Sequence, residues 1–206
     1  MQGSTVDESK VALNYHKVEA HSPHGAHPDH RLFGVVLFLV AESMIFLGLF
    51  AALLIYRSIL PAWPPEGTPE RELILPAINT VILIASSFVM HRGQEEIKKN
   101  NVSGLRLWFG LTAVMGAVFL VGQLYEYAHL EFDLTTNLFA SAFYALTGFH
   151  GLHVTVGLLL ILFVLIRAQE QEHYSSEEHF GVEAAELYWH FVDVVWVVLF
   201  ILVYLL

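Results

Sequence analysis

The chain has 206 residues, 55% of them apolar and 15% charged, with a net charge of −10. Soluble domains carry roughly 25% charged residues, so this composition excludes an ordinary soluble globular protein. Cysteine is absent, which excludes disulfides, thiolate metal sites and cysteine nucleophiles.

Residues 1–31 form a polar leader in which no cleavable signal peptide is visible, because the apolar block that follows is too long for one. Five of the chain's twelve histidines lie between positions 16 and 30, and His21, His24, His27 and His30 recur at every third residue. Pro23, Gly25 and Pro28 argue against an α-helix. A polyproline II segment would set the four imidazoles along one edge, about 9 Å apart and too widely spaced to chelate without bending. Partly protonated imidazoles can collect protons at a membrane surface; the alternative is an ordinary solvated tail.

The rest of the chain, residues 32–206, divides into five apolar blocks at 32–56, 73–90, 105–125, 138–166 and 187–206. Each suits ~30 Å of hydrocarbon at 1.5 Å rise per residue. The expected fold is therefore all-α, an integral membrane bundle of five transmembrane helices. The acidic excess falls mostly in the tail and the connectors, where solvated carboxylates are ordinary. No repeat and no inverted duplication is visible, which argues against a proton-coupled transporter.

A cytoplasmic amino terminus places Lys10, Lys17, Arg31, Arg92, Lys98, Lys99, Arg106 and Arg167 inside, and only Arg57 and Arg71 outside. That bias sets the orientation, with the carboxyl terminus on the outer side.

In the first span Glu42 lies ten residues deep, about 15 Å by helical rise and near the midplane. A carboxylate in hydrocarbon costs several kcal/mol, so Glu42 is expected to be protonated and bonded, as helix glue or for proton or lipid handling. In the third span Glu126 approaches the outer interface beside Gln123 and Tyr127. In the fourth, His150 and His153 lie level with Glu42 and share a face with Gly157. Gly148, Gly151 and Thr155 form a roughly opposite face suited to close helix packing. An H-x-x-H pair can start a metal site, but no other histidine-bearing span reaches that depth. The expected state is a hydrogen-bonded core pair, with Glu42 bonded to one of the two imidazoles. In the fifth span Glu186, His190 and Asp193 form one stripe, with Trp189 and Trp196 on a neighbouring one. Interfacial anchoring and contact with a partner subunit are both open for them.

Several of these stretches resemble subunit III of the haem–copper cytochrome c oxidases. The most distinctive is His179-Phe-Gly-Val-Glu-Ala-Ala-Glu-Leu-Tyr-Trp-His-Phe-Val-Asp-Val-Val-Trp196, followed by Ala145-Leu-Thr-Gly-Phe-His-Gly-Leu-His-Val154. Phe38-Leu-Val-Ala-Glu-Ser-Met-Ile-Phe46, Leu75-Pro-Ala-Ile-Asn-Thr-Val-Ile-Leu83 and Gln123-Leu-Tyr-Glu-Tyr127 support it. Many members of that family have seven helices, the first two leaning away from a lipid-filled cleft; this sequence matches the five-helix bacterial form.

The resemblance implies an accessory subunit of a proton-pumping aa3-type oxidase in the bacterial cytoplasmic (inner) membrane. Its implied partners are oxidase subunits I and II and membrane lipids, not nucleic acid. Haem and copper are expected in those partner subunits and no cofactor or metal in this chain, with bound phospholipid. No residue is expected to be catalytic. Glu42, His150 and His153 are the proton- or lipid-related groups. His21, His24, His27 and His30 are the proton-collecting tail. Glu126, Glu186, His190, Asp193 and Trp196 are the candidates for subunit or lipid contact. Subunit III of a quinol oxidase is the alternative reading, followed by an accessory subunit of nitric oxide reductase. An intramembrane metalloenzyme lacks the ligands it would need.

Overall fold

A computed structural model describes residues 30–65, 68, 72–170 and 173–206. His21, His24 and His27 therefore lie outside the described residues, while His30 is the exposed first residue of a helix. Five helices follow in order: α1 His30–Ile59, α2 Ile74–Lys98, α3 Val102–His129, α4 Leu138–Arg167 and α5 Phe180–Phe200, the last continued by a π-helical turn, Ile201–Leu205. All five are long and apolar enough to cross a membrane, as the blocks of hydropathy predict.

The boundaries differ from the apolar blocks where polar residues continue a helix. Helix α2 runs past Met90 to Lys98 because Gln94, Glu95 and Glu96 are good helix formers, although they carry no hydrophobic signal. Helix α5 begins at Phe180, seven residues before the block at 187, since Val182 and Ala185 already face the core at 0% and 3% exposure. The tight α2–α3 connection is explained by its hydrogen bonds. Asn101 N–H donates to the Glu96 carbonyl and Asn100 N–H to the Ile97 carbonyl, a Schellman closure with Asn100 at φ 58°. Asparagine tolerates that left-handed conformation. Side chains of Asn101 and Asn137 then cap α3 and α4, accepting from Gly104 N–H at 3.0 Å and Ala140 N–H at 2.8 Å. The far end of α4 is tied to α3 by the Arg106 guanidinium, which donates to the Ala168 carbonyl.

Helices α2 and α3 form an antiparallel hairpin, α5 packs against α2, α4 and α1, and α3 closes onto α4. Half of the most apolar window of α5 is buried, against 17% for α1, so α5 is the centre and α1 the outer flank. Trp189 holds that centre together. A Cβ on Gly116 of α3 would lie 2.5 Å from the indole, and one on Gly157 of α4 would lie 2.9 Å from it. Both glycines are therefore required by close approach. The indole N–H donates to Ser86 Oγ of α2 at 2.9 Å, so one side chain joins three helices. Trp196 repeats the arrangement one stage along, donating to Thr80 Oγ1 at 2.9 Å.

Two expectations need correction here. Trp189 and Trp196 neither anchor the interface nor offer surface to a subunit or lipid, the contact expected of Trp196: they are 0% and 1% exposed, and Ser86 and Thr80 satisfy their N–H groups within the core. Among the described residues the face of Gly148, Gly151 and Thr155 is not closely packed: a Cβ on Gly148 would touch only the Tyr127 hydroxyl, at 3.7 Å. Thr155 is exposed, and a Cβ on Gly151 would meet nothing within 4 Å.

Candidate functional site

Helical rise brings the polar groups of the spans together at three levels. At the middle level, Glu42 and His153 sit close to the centres of α1 and α4. The His153 Nδ1 lies 2.8 Å from the Phe149 carbonyl, one turn back along its own helix. A carbonyl only accepts, so Nδ1 carries the proton and donates it. The other nitrogen, Nε2, lies 3.2 Å from Glu42 Oε2. That contact needs one further proton, carried by a neutral carboxylic acid on Glu42 or shared as an imidazolium–carboxylate pair. The expected bond between Glu42 and one of the two histidines is thus present, and it falls on His153.

Phe46 and Phe149 wall the pair, their ring centroids 4.9 and 4.6 Å from the imidazole. The Tyr188 hydroxyl donates to the His153 carbonyl at 3.3 Å. Yet the Glu42 side chain keeps 21% of its surface exposed and His153 10%. The pair therefore lies on the flank of the bundle, between α1 and α4.

His150 behaves differently. It is fully buried, its ring tilted 31° against Trp196 at 4.8 Å and edge-on to Phe119 at 5.8 Å. Neither ring nitrogen has a hydrogen-bond partner among the described residues. The expectation of a hydrogen-bonded pair is corrected on this point: His150 and His153 diverge around α4, one entering the aromatic core and the other facing α1.

At the second level, near the α3–α4 connection, Glu126 is 8% exposed. It accepts from the Tyr204 hydroxyl at 3.0 and 3.1 Å and from Gln123 Nε2 at 3.2 Å. Beside it, the Tyr127 and Thr147 hydroxyls lie 2.6 Å apart. This end of the bundle carries a cavity of about 430 Å³ lined by Glu72, Tyr125, Glu126, His129 and Glu131.

The third level joins α2 to α5. Ser87 Oγ contacts Asp193 Oδ2 and lies 2.8 Å from His190 Nδ1. His91 Nδ1 lies 2.9 Å from Glu186 Oε1. Asp193 and Glu186 are 6% and 5% exposed, so this chain's own helices enclose them and leave them little surface for lipid or another subunit. His190 stays partly open, with 39% of its side-chain surface exposed. The α5 stripe was legible in the sequence; its α2 partners Ser87 and His91 were not singled out. Their signal was present, since the two lie four residues apart on one face of α2.

A second cavity, about 510 Å³, lies between the start of α1, the end of α4 and the start of α5. Arg31, Arg167, His173, Tyr174 and His179 are among its lining residues. Burial pushes the Tyr174 hydroxyl up from its ordinary pKa, with nearby Arg167 pulling the other way. Arg167 also stacks 5.5 Å over the Phe163 ring.

Five apolar helices with ionisable groups paired in the interior define a multi-pass membrane protein of the helical-bundle class. A family model, cytochrome c oxidase subunit III, matches residues 19–206. The chain is 70% identical over 203 residues to cytochrome c oxidase subunit 3 of Synechocystis sp. (strain ATCC 27184 / PCC 6803 / Kazusa), covering 98% of this chain and 87% of that protein. It is 57% identical over 180 residues to the subunit 3 of Thermostichus vulcanus, covering 87% and 89%. Identity to the Rattus norvegicus subunit 3 is 36% over 179 residues, covering 84% of this chain and 68% of that protein. The chain belongs to the cytochrome c oxidase subunit III family.

Proposed function

We propose that this chain is the accessory subunit III of a proton-pumping aa3-type cytochrome c oxidase, bound to subunits I and II in a bacterial cytoplasmic membrane. It carries no redox centre, supports proton uptake and keeps catalytic subunit I active through turnover. The carboxyl terminus lies on the outer side, because the end of the bundle bearing Arg92, Lys98, Lys99, Arg106 and Arg167 suits the cytoplasm.

The observation that carries this reading is the Glu42–His153 contact of 3.2 Å at the middle of the bundle. A proton-sharing carboxyl and imidazole within hydrocarbon mark a proton- or lipid-handling position. The pair is built from residues that cannot perform oxygen chemistry unaided. The exposed apolar side chains Phe33, Leu37 and Phe163 suit acyl chains, and the second cavity beside them carries Arg31 and Arg167 together with Glu177, Glu178 and Glu183, a mixed lining that suits a zwitterionic headgroup.

The test is to purify the oxidase with and without this chain, then record haem and copper spectra, initial oxygen-reduction rates and activity over many turnovers. Unchanged spectra, with an activity that decays faster when the chain is missing, are expected. Loss of a haem or copper signal on its removal would overturn the accessory reading. The same preparation separates the alternative, since a quinol oxidase would accept electrons from quinol and not from reduced cytochrome c.

A further inference from the structure

The third level of polar groups has a proton shortage. From Asp193 to Glu186 the contacts run through Ser87 Oγ, then His190 Nδ1 at 2.8 Å, then from His190 Nε2 to Glu186 Oε1 at 3.5 Å. Three contacts therefore link two carboxylates. Ser87 supplies one O–H and a neutral imidazole one N–H, so only two contacts are satisfied. If Ser87 donates to Asp193 and His190 Nδ1 donates to Ser87, the lone pair on Nε2 faces a carboxylate oxygen. One more proton, on His190 or on either carboxyl, or a metal ion at Nε2 would close the chain. His91 brings a second imidazole nitrogen to the same oxygen, at 2.9 Å.

We propose that His91, Glu186 and His190 bind a divalent transition-metal ion of the zinc type, which fastens α2 to α5. One ligand atom from each residue lies within 4.8 Å of the other two. Zinc bonds to nitrogen and oxygen are about 2.0–2.1 Å long in tetrahedral sites, which spaces the ligand atoms roughly 3.3 Å apart. The two measured spacings, 2.9 and 3.5 Å, bracket that value. Two imidazoles with one carboxylate select zinc or a similar transition ion over magnesium or calcium, which prefer all-oxygen shells.

The surroundings also match a metal site. A ligating histidine normally gives its other ring nitrogen to a fixed acceptor, which sets its tautomer. Ser87 holds His190 in that way, backed by Asp193. Glu95 Oε1 stands 3.9 Å from the Nε2 of His91. Glu186 forms the floor, with 7% of its side-chain surface exposed, while the His91 side chain is 55% exposed and His190 39%. The open side leaves a fourth position for water and a route for the ion to enter. The proposed site departs from the sequence expectation of no metal in this chain, and it joins residues that lie 95 positions apart, His91 and Glu186. The inference does not depend on the Glu42–His153 reading, which uses other residues.

The experiment uses the intact oxidase complex, stripped with a chelator and titrated with zinc ions. Wild type should take up one ion more than His91→Gln, or hold that ion with far higher affinity. Loss of a direct ligand should weaken binding by more than the roughly 10–100-fold that outer-shell changes cost. His91→Cys should restore binding, because a thiolate is a zinc ligand. Cobalt in place of zinc should add tetrahedral visible bands in wild type that are missing from His91→Gln. Glu186→Gln preserves side-chain shape and provides an independent variant. Zinc stoichiometry and affinity equal to wild type in either assembled variant would overturn the proposal.

Discussion

Replacing Glu42 separates the consequences of its shape from those of its proton. The Nδ1 of His153 is committed to the Phe149 carbonyl at 2.8 Å, so the contact of Nε2 with Glu42 at 3.2 Å rests on one proton shared between them. Glu42→Gln retains a donor of the same reach, because its amide N–H can point at Nε2. Glu42→Leu leaves Nε2 with no donor. A hydrogen bond between membrane helices averages about 0.6 kcal/mol and reaches about 1.7. A fully buried, unsatisfied group would cost roughly 1–3 kcal/mol. With side-chain exposures of 21% for Glu42 and 10% for His153, the penalty belongs at the lower end. The expected cost of Glu42→Leu is therefore about 1 kcal/mol, roughly a fivefold change in a two-state ratio. Glu42→Gln should cost less than about 0.5 kcal/mol.

If inactivation in turnover begins with local opening of the α1–α4 contact, the open population should rise about fivefold in Glu42→Leu. Its initial rate should equal wild type while its active lifetime shortens by a similar factor. Combining Glu42→Leu with His153→Leu should show a coupling energy of about 1 kcal/mol in thermal stability. Infrared spectra of wild type should show a band of the Glu42 carboxyl, as acid or as carboxylate, that both Glu42 variants lack. A Glu42→Leu complex as durable as wild type, with additive double-mutant stability, would refute the reasoning.

Two further outcomes follow from the bundle and the tail. Gly157→Ala places a methyl group against Trp189, where a Cβ meets Cε3 at 2.9 Å; it should destabilise the complex by about 1–3 kcal/mol, checked by thermal denaturation, whereas Gly151→Ala, with nothing within 4 Å of its Cβ, should leave the chain's own packing unchanged. Changing His21, His24, His27 and His30 together to glutamine should slow steady-state oxygen reduction. The deficit should widen as pH rises above about 6.5, and a rate equal to wild type from about pH 6 to 9 would make the tail an ordinary leader.

Much of the fold was legible because hydrocarbon is a demanding solvent. Backbone groups must be satisfied within each span, so five apolar blocks imply five helices. The pairing of Glu42 with a histidine was legible for a similar reason, since a carboxyl at that depth needs a partner and the two spans bring few polar groups to the same level. Helix ends were less clear. The polar turn of α2 after Met90 and the start of α5 at Phe180 depend on helix propensity and core contacts, which hydropathy does not weigh. Which histidine meets Glu42 depends on the rotation of α4 about its axis, and no residue count along one helix reports that angle.

The same limit explains the two tryptophans. From sequence, Trp189 and Trp196 suit an interface, where an indole has one polar edge and one apolar face. Their placement in the core depends on Ser86 and Thr80 of α2, which supply acceptors, and on Gly116 and Gly157, which leave room for Trp189. Each of these four residues is unremarkable alone. Ser86 returns its own proton to the Leu83 carbonyl at 2.6 Å, and Thr80 bonds the Pro76 carbonyl at 2.7 Å. These are the local bonds that hydroxyl residues commonly make in helices. A hydroxyl with its proton used locally still has lone pairs to accept from an indole. Helix α2 thus presents Thr80, Ser86, Ser87 and His91 towards α5, which answers with Trp196, Trp189, His190, Asp193 and Glu186. The indole–hydroxyl bonds from Trp189 to Ser86 and from Trp196 to Thr80 therefore fix the register of the α2–α5 seam, where lipid-like side chains alone would let one helix slide or turn against the other.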